Sequence, residues 1–237
     1  MSDAPQPRRS APEAMASIVW CVLIPARNEA SAIGAVVAPL ARQGVDVLVI
    51  DDGSSDQTAQ AARAAGARVL PRTRDHGKGA ALREGFAWAL ERGYEAVVTM
   101  DADGQHAPED VPRLVQTAVV TGAMIVVGNR MEHPVGMPRV RRWTNRVMSW
   151  IVSRLARQRI PDSQCGLRLI HTGLLRRARL EAAHYEIESE LLLEAARLGG
   201  RIAAAPIQSI YAAQRSQINP WIDTTRFVRF LWRYYRR

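Results

Sequence analysis

The sequence is poor in cysteine, lysine and long apolar runs, and each shortage excludes a class of protein. Cys21 and Cys165 are the only cysteines in 237 residues, too few for a disulfide-stapled scaffold or a cysteine-rich metal site. The uncharged run at residues 114–129 is interrupted by polar residues and glycine, so we expect no membrane-spanning helix. Residues 1–16 lack the apolar core of a secretory signal, and we predict a disordered leader on a cytoplasmic protein.

Acidic residues are also few compared with basic ones. The chain carries 32 lysine and arginine residues against 23 aspartate and glutamate residues, which gives a net charge of +9. Lys78 is the single lysine, so arginine supplies nearly all of the positive charge. This surplus favours anionic partners such as nucleotides, phospholipid head groups or nucleic acid. No DNA- or RNA-binding motif accompanies the charge, and we do not predict a nucleic-acid-binding protein.

What the chain does contain is a regular alternation of apolar runs and helical patterns. Strands are predicted at residues 18–24, 45–50, 67–70, 97–100 and 124–127, and the segments between them mostly have helical spacing. Such alternation predicts one α/β domain over residues 17–218, with a mostly parallel sheet flanked by helices. We expect Ser54 or Ser55 to cap the helix that follows the second strand.

Polar turns follow three of the predicted strands and should meet at one edge of the sheet. In extended backbone, positions i and i+2 face the same side, so Asp101 and Asp103 can point into one cavity. Carboxylates placed there can bind Mg²⁺ or Mn²⁺, and the cation can bind diphosphate oxygens on its other side. The alternative is a solvated acidic turn, because the pattern is short.

Several motifs occur in the order seen in one enzyme family. They are residues 24–29 (IPARNE), 50–58 (IDDGSSDQT), 77–85 (GKGAALREG) and 101–106 (DADGQH). This set resembles the inverting family 2 glycosyltransferases. Three later motifs look like the branch that transfers sugars to dolichyl or polyprenyl phosphates: residues 128–130 (GNR), 162–168 (DSQCGLR) and 188–190 (ESE). The resemblance implies a GT-A (Rossmann-like) fold, a nucleotide-sugar donor and a divalent metal, Mg²⁺ or Mn²⁺.

The resemblance also implies roles for individual residues. The residues expected to bind the nucleotide sugar are Pro25, Arg27, Glu29, Asp52, Lys78 and Asp101. The expected metal ligands are Asp101, Asp103 and Gln105, the first two also being catalytic, while we expect His106 to support them rather than bind metal. A compact ammonium on a flexible turn can reach a diphosphate, although Gly-Lys-Gly is also typical of a plain exposed turn.

A lipid phosphate acceptor needs cations rather than a base. Its second pKa is about 6, so it is largely a dianion near neutral pH. Arginines suit it because they bind phosphate with two hydrogen bonds. Residues 139–158 have helical period, with one arginine-containing polar stripe opposite a tryptophan-containing face; the structural alternative is a core helix with a solvated arginine face. The expected phosphate ligands are Arg130, Arg142, Arg146 and Arg215.

A hydroxyl acceptor on a glycan or glycolipid would instead need a general base. Asp162 is the first candidate for this catalytic role. Its alternative role is to cap the turn after Pro161. The same donor chemistry is therefore compatible with two classes of acceptor.

Residues 219–237 have the pattern of a basic amphipathic helix. Arginines occupy one side and aromatic residues the other, as in helices that lie on anionic membranes. The alternative is a terminal helix docked on its own domain or on a second subunit. We expect peripheral attachment to the inner face of the cytoplasmic membrane, and the sequence indicates no oligomeric state.

Overall fold

The structure is a computed structural model that describes residues 18–132, 134, 136–208, 210, 227, 229–232 and 234. Within these residues one sheet has seven strands in the order β3-β2-β1-β4-β6-β5-β7. In this part of the chain β6 is antiparallel to both of its neighbours, and all other pairs are parallel. The predicted mostly parallel sheet is therefore confirmed. The strands are β1 (Trp20–Ala26), β2 (Val47–Asp51), β3 (Arg68–Pro71), β4 (Ala96–Thr99), β5 (Ile125–Asn129), β6 (Arg168–His171) and β7 (Ile202–Pro206).

Helices flank this sheet. Every residue of β2 and β4 is buried, and because successive side chains face opposite sides, both faces of the sheet are covered there. The α-helices are α1 (Ile33–Arg42), α2 (Thr58–Ala64), α3 (Lys78–Glu91), α4 (Val111–Thr121), α5 (Arg139–Ala156), α6 (Thr172–Leu175) and α7 (Ile187–Arg197), with a 3₁₀ turn at Pro108–Asp110.

The start of α2 differs from the prediction. The helix begins at Thr58 and has no side-chain cap at its N-cap residue. Asp56 instead accepts a hydrogen bond from the backbone N–H of Thr58 at 3.0 Å. The prediction of Ser54 or Ser55 as the cap was wrong, because both serines bond with the turn after β1.

The two faces of α5 also differ from the structural alternative of a core helix with a solvated arginine face. Asn145 and Ser149, from the polar stripe, are buried, whereas Trp143 and Trp150 are exposed. The hydroxyl of Ser149 accepts a hydrogen bond from the backbone N–H of Ser163 at 2.8 Å. The polar stripe therefore fastens the segment that leads to β6, and the tryptophans face outwards.

The described C-terminal residues 227, 229–232 and 234 are helical. Phe227 and Phe230 are buried, and the Phe230 ring lies 5.9 Å from that of Tyr234. Arg229 and Trp232 are exposed. Phe227, Phe230 and Tyr234 thus pack on the domain, whereas Trp232 faces outwards. The predicted leader and the rest of the tail lie outside the described residues. In the part of the chain that is described, no helix combines the length and hydropathy needed to cross a bilayer.

Candidate active site

Three polar turns meet at the carboxyl edge of the sheet. β2, β1 and β4 are parallel neighbours, so the turns that follow them lie side by side. Asn28 accepts a hydrogen bond from the backbone N–H of Ser55 at 2.8 Å, and the N–H of Glu29 donates to the Thr58 hydroxyl at 2.8 Å. These bonds join the first two turns, and the convergence expected from the sequence is present.

Lys78 lies at this edge between two carboxylates. Its Nζ is 2.5 Å from Asp101 Oδ1 and 2.6 Å from Glu188 Oε1. It also lies 5.6 Å from the centre of the Tyr185 ring. Burial disfavours the charged ammonium, but Asp101 and Glu188 outweigh burial and raise the pKa of Lys78 above its usual range. Lys78 is therefore a fixed positive charge beside Asp101.

Two glycines allow Lys78 to reach this position. Gly77 has φ +91°, which L side chains rarely adopt, and a Cβ there would lie 2.5 Å from the Ala183 carbonyl oxygen. A Cβ on Gly79 would lie 2.5 Å from the Ala182 carbonyl oxygen. The first turn of α3 can approach residues 182–184 only because both side chains are absent, and this approach brings Lys78 towards Glu188.

Asp101 is held by Lys78 and His106, in a space that Gly166 leaves open. His106 Nε2 lies 3.5 Å from Asp101 Oδ2, and the buried His106 supports the carboxylate as expected. On another side Gly166 makes room, since a Cβ there would lie 2.1 Å from Asp101 Oδ2. Burial raises the pKa of Asp101, but Lys78 and then His106 outweigh burial and hold it well below its usual range. Asp101 is therefore ionised and fixed.

Glu29 and Asp103 add negative charge beside Asp101. Burial raises the pKa of Glu29, and the nearby Asp103, Asp56 and Asp101 carboxylates raise it further. Asp103 accepts a hydrogen bond from the backbone N–H of Gln105 at 3.0 Å. Among the described residues, no group of three or more His, Cys, Asp or Glu side chains is arranged to hold a metal ion. The set of Asp101, Asp103 and Gln105 stays a prediction, and a cation bound there would need further ligands from the donor and water.

The residues expected to contact the nucleoside differ in exposure. Asp52 is buried, with its Oδ1 2.5 Å from Arg72 Nη1, and its Oδ2 accepts a hydrogen bond from Gly77 N–H at 3.0 Å. Asp52 therefore organises the turn before Lys78. Arg27 is exposed and pairs with Asp75, and Pro25 is half-buried near the end of β1.

Arg130 and Asp162 are paired in the interior. Arg130 Nε donates to Asp162 Oδ2 at 2.8 Å, and Arg130 Nη2 donates to Asp162 Oδ1 at 3.0 Å. The two side chains are 4% and 0% exposed. This arrangement contradicts two predictions, namely that Arg130 binds the acceptor phosphate and that Asp162 acts as a general base. A buried charged pair that satisfies itself leaves neither group open to a substrate.

The other predicted phosphate ligands lie on α5 or outside the described residues. Arg142 is half-buried, and its Nε is a buried atom without a hydrogen-bond partner in the described part of the chain. Arg146 is exposed. Arg141 Nη1 is 3.5 Å from Gln105 Oε1, which places the start of α5 beside the turn after β4. Arg215 lies outside the described residues.

The turns that build this edge fall within one family match. Residues 21–182 match the model described as glycosyl transferase family 2. The chain belongs to glycosyl transferase family 2. It is therefore a glycosyltransferase, and its sheet is the GT-A sheet that the motifs implied.

Relatives of this family 2 enzyme include transferases whose names state the acceptor. It is 37% identical over 204 residues to undecaprenyl-phosphate mannosyltransferase of Micrococcus luteus, across 78% of this chain and 81% of that protein. It is 31% identical over 220 residues to UDP-N-acetylglucosamine–dolichyl-phosphate N-acetylglucosaminyltransferase of Methanococcus voltae, across 83% and 88% of the two chains.

A solved structure shares the fold of this family 2 enzyme. Glucosyl-3-phosphoglycerate synthase from Mycobacterium tuberculosis, in complex with Mn²⁺, UDP and phosphoglyceric acid, matches with a TM-score of 0.71 and 26% identity. The match covers 95% of this chain and 81% of that one. The same synthase has also been solved with Mg²⁺ and UDP. Divalent metal and nucleotide thus occur together in a relative of this fold.

Two residues of this family 2 site were not assigned roles from the sequence. Glu188 holds Lys78, and the fully buried Arg168 donates to the carbonyl oxygens of Cys165 and Ser163, at 2.6 Å in each case. Arg168 also donates to the Glu188 carbonyl, and so it links the loop under Asp101 to α7. Both residues lie in motifs on which the family resemblance rests, and that resemblance was the sequence signal that could have identified them.

Proposed function

We propose that this family 2 enzyme transfers a sugar, with inversion, from a nucleotide-sugar donor to a polyprenyl phosphate or related lipid phosphate. The observation that carries the proposal is the cluster of Glu29, Lys78, Asp101 and Asp103 at the carboxyl edge of the sheet. Relatives named as undecaprenyl-phosphate and dolichyl-phosphate sugar transferases support the acceptor class. Because such acceptors are membrane lipids, the enzyme would act at the inner face of the cytoplasmic membrane.

The donor would lie across the first two turns with its diphosphate at Lys78. The exposed Arg27 and the half-buried Glu29 would contact the nucleoside, together with Pro25 and Asp52. Lys78 is already beside Asp101 and would contact a diphosphate oxygen held there. An ammonium at this point offsets negative charge that builds on the departing nucleoside diphosphate.

Asp101, Asp103 and Gln105 would hold Mg²⁺ or Mn²⁺. Their oxygens are the hard ligands that these cations prefer. Burial raises the pKa of Glu29, and the Asp103, Asp56 and Asp101 carboxylates raise it further, so negative charge is gathered where a cation would bind. A bound cation would supply Lewis-acid neutralisation of the diphosphate. His106 would keep Asp101 oriented through its Nε2 contact.

The acceptor phosphate would react without a general base. Its oxygen forms a bond to the anomeric carbon, and the bond from that carbon to the donor diphosphate breaks, so no proton moves at neutral pH. Arg142 and Arg146 would hold the phosphate. Arg141 would replace Arg130 as the third ligand, because Arg130 is buried against Asp162. The buried Arg142 Nε is a donor that a phosphate oxygen would satisfy. A role for Arg215 stays a prediction.

A transfer assay with paired acceptors tests the proposal. UDP-sugars and GDP-sugars are each incubated with a polyprenyl phosphate, the matching polyprenol or phosphoglyceric acid, with a divalent cation or a chelator. We expect a product by mass spectrometry only with the lipid phosphate and the cation. Equal product from the polyprenol would contradict a phosphate acceptor, and product from phosphoglyceric acid alone would contradict a lipid acceptor.

A further inference from the structure

The outward face of α5 carries a stripe of large apolar side chains. Val140, Trp143 and Trp150 are 79%, 68% and 64% exposed, and Val147 between them is half-buried. With about 3.6 residues per turn, these four positions and Arg154 lie on one side of the helix, over a length of roughly 21 Å. Two exposed tryptophans in a continuous apolar stripe are typical of a surface that a partner covers.

All the charged residues of α5 are basic. α5 contains five arginines and no aspartate or glutamate. Arg139 and Arg146 are exposed along one border of the stripe, and the Arg154 guanidinium lies 5.9 Å from the centre of the Trp150 ring. The charge complements an anionic partner, and the tryptophans require that partner to be apolar as well.

The α5 stripe adjoins the candidate active site. The polar side of the helix is fastened to the domain through Ser149, while Arg141 at its first turn lies 3.5 Å from Gln105, a predicted metal ligand. A surface that covers the stripe would therefore lie next to the place where the acceptor must enter.

We propose that the α5 stripe binds the surface of a bilayer containing anionic phospholipids, with the helix axis parallel to the membrane. The rings of Trp143 and Trp150 enter the head-group region, and the bordering arginines contact lipid phosphates. The proposal rests on the proposed function, because a polyprenyl phosphate in that bilayer would present its phosphate beside Arg142.

The described part of the C-terminal helix exposes one tryptophan, Trp232, and one arginine, Arg229, whereas α5 exposes two tryptophans in one stripe. Phe227 and Phe230 are buried against the domain, so these two rings are already covered. The apolar contact with the membrane is therefore assigned to α5 instead of the aromatic side of the tail.

Co-sedimentation with vesicles, without donor or metal, tests this surface apart from catalysis. The vesicles contain equal parts of phosphatidylglycerol and phosphatidylcholine, and vesicles of phosphatidylcholine alone are the control. The test variant combines Trp143→Gln with Trp150→Gln, and the matched control is Val120→Gln, which alters an exposed apolar residue of α4. We expect the double variant to bind the anionic vesicles at least about tenfold more weakly than the wild type, and Val120→Gln to bind unchanged.

A second pair of variants tests the charge. Arg139→Gln and Arg154→Gln should each weaken binding to the anionic vesicles about fivefold, and Arg63→Gln, an exposed arginine of α2, should not. Circular dichroism and thermal melts check that every variant is folded; all the changed side chains are exposed.

Several results would overturn the proposal. These are no binding of the wild type to anionic vesicles, unchanged binding of the double tryptophan variant, and a tryptophan-dependent dimer or oligonucleotide complex in place of vesicle binding. Loss of vesicle binding in the double variant supports the docking surface even if the transfer assay yields no product, and the missing product then refutes the proposed function alone.

Discussion

Replacing Lys78 by methionine removes the charge that two carboxylates share and keeps most of the apolar length of the side chain. Lys78 Nζ lies 2.5 Å from Asp101 and 2.6 Å from Glu188. Breaking a buried pair costs about 3–5 kcal/mol, and the Asp101 carboxylate, 29% exposed, lets water offset part of this loss. We expect the free energy of unfolding without divalent cations to fall by about 2–3 kcal/mol.

A divalent cation should reverse this loss in the Lys78→Met variant. At roughly 100 times its dissociation constant, a cation adds about 2.7 kcal/mol to the free energy of unfolding. Mn²⁺ should stabilise the variant more than the wild type, because the ammonium no longer repels the cation. Thermal melts at rising Mn²⁺ concentration measure the difference, expected to be several degrees. Arg72→Met, which breaks the buried pair with Asp52, is the matched control and should not be rescued. An equal response of wild type and Lys78→Met to Mn²⁺ would refute the reasoning.

Three other changes probe the site and its support. Glu29→Gln should stabilise the cation-free protein at neutral pH, because the raised pKa of Glu29 means that its charge is disfavoured in the folded state; denaturant titrations should show this gain vanish below about pH 4. Gly166→Ala places a Cβ 2.1 Å from Asp101 Oδ2 and should lower kcat/KM for transfer at least about 100-fold; near-normal activity would contradict the need for a glycine beside Asp101. Arg130→Met should lower the free energy of unfolding by about 3–5 kcal/mol, and adding Asp162→Leu should restore most of it. If Arg130 instead bound the phosphate, the refolded double variant would stay inactive.

The strands that build the site were predictable because they are buried on both faces. Such strands are uninterrupted apolar runs, as at residues 45–50 and 97–100, which became β2 (Val47–Asp51) and β4 (Ala96–Thr99). Once parallel pairing is assumed, the turns after these strands must share one edge. The position of Asp101 at that edge follows from local sequence alone, whereas the role of Lys78 was indicated by the family resemblance.

The pairings within the site were not predictable in the same way. Lys78 and Glu188 are 110 residues apart, and the interior pair of Arg130 and Asp162 is separated by 32 residues. An arginine is expected at the surface until a buried partner is known, and no local pattern identifies that partner.

The orientation of α5 shows a further limit of periodicity. Helical spacing predicts two faces, but it does not decide which residues are buried: Arg146 of the polar stripe is exposed, and Ile151 of the tryptophan-containing face packs against the core. Tryptophan suits both interiors and membrane interfaces, and the small hydroxyl of Ser149 is buried because it bonds with Ser163. The hydrogen bonds made by residues 160–163 determine which face of α5 is buried, and these residues lie beyond the helix itself.

Isothermal titration calorimetry of UDP and GDP tests the metal-bridged donor site most directly. Each nucleotide is titrated into the wild type and into Asp103→Asn, with Mn²⁺ or with a chelator. We predict that one nucleotide binds the wild type only when Mn²⁺ is present, and that Asp103→Asn binds it at least about tenfold more weakly. Equal affinity with and without the cation, or an unchanged affinity in Asp103→Asn, would contradict a diphosphate held through a cation at Asp101 and Asp103.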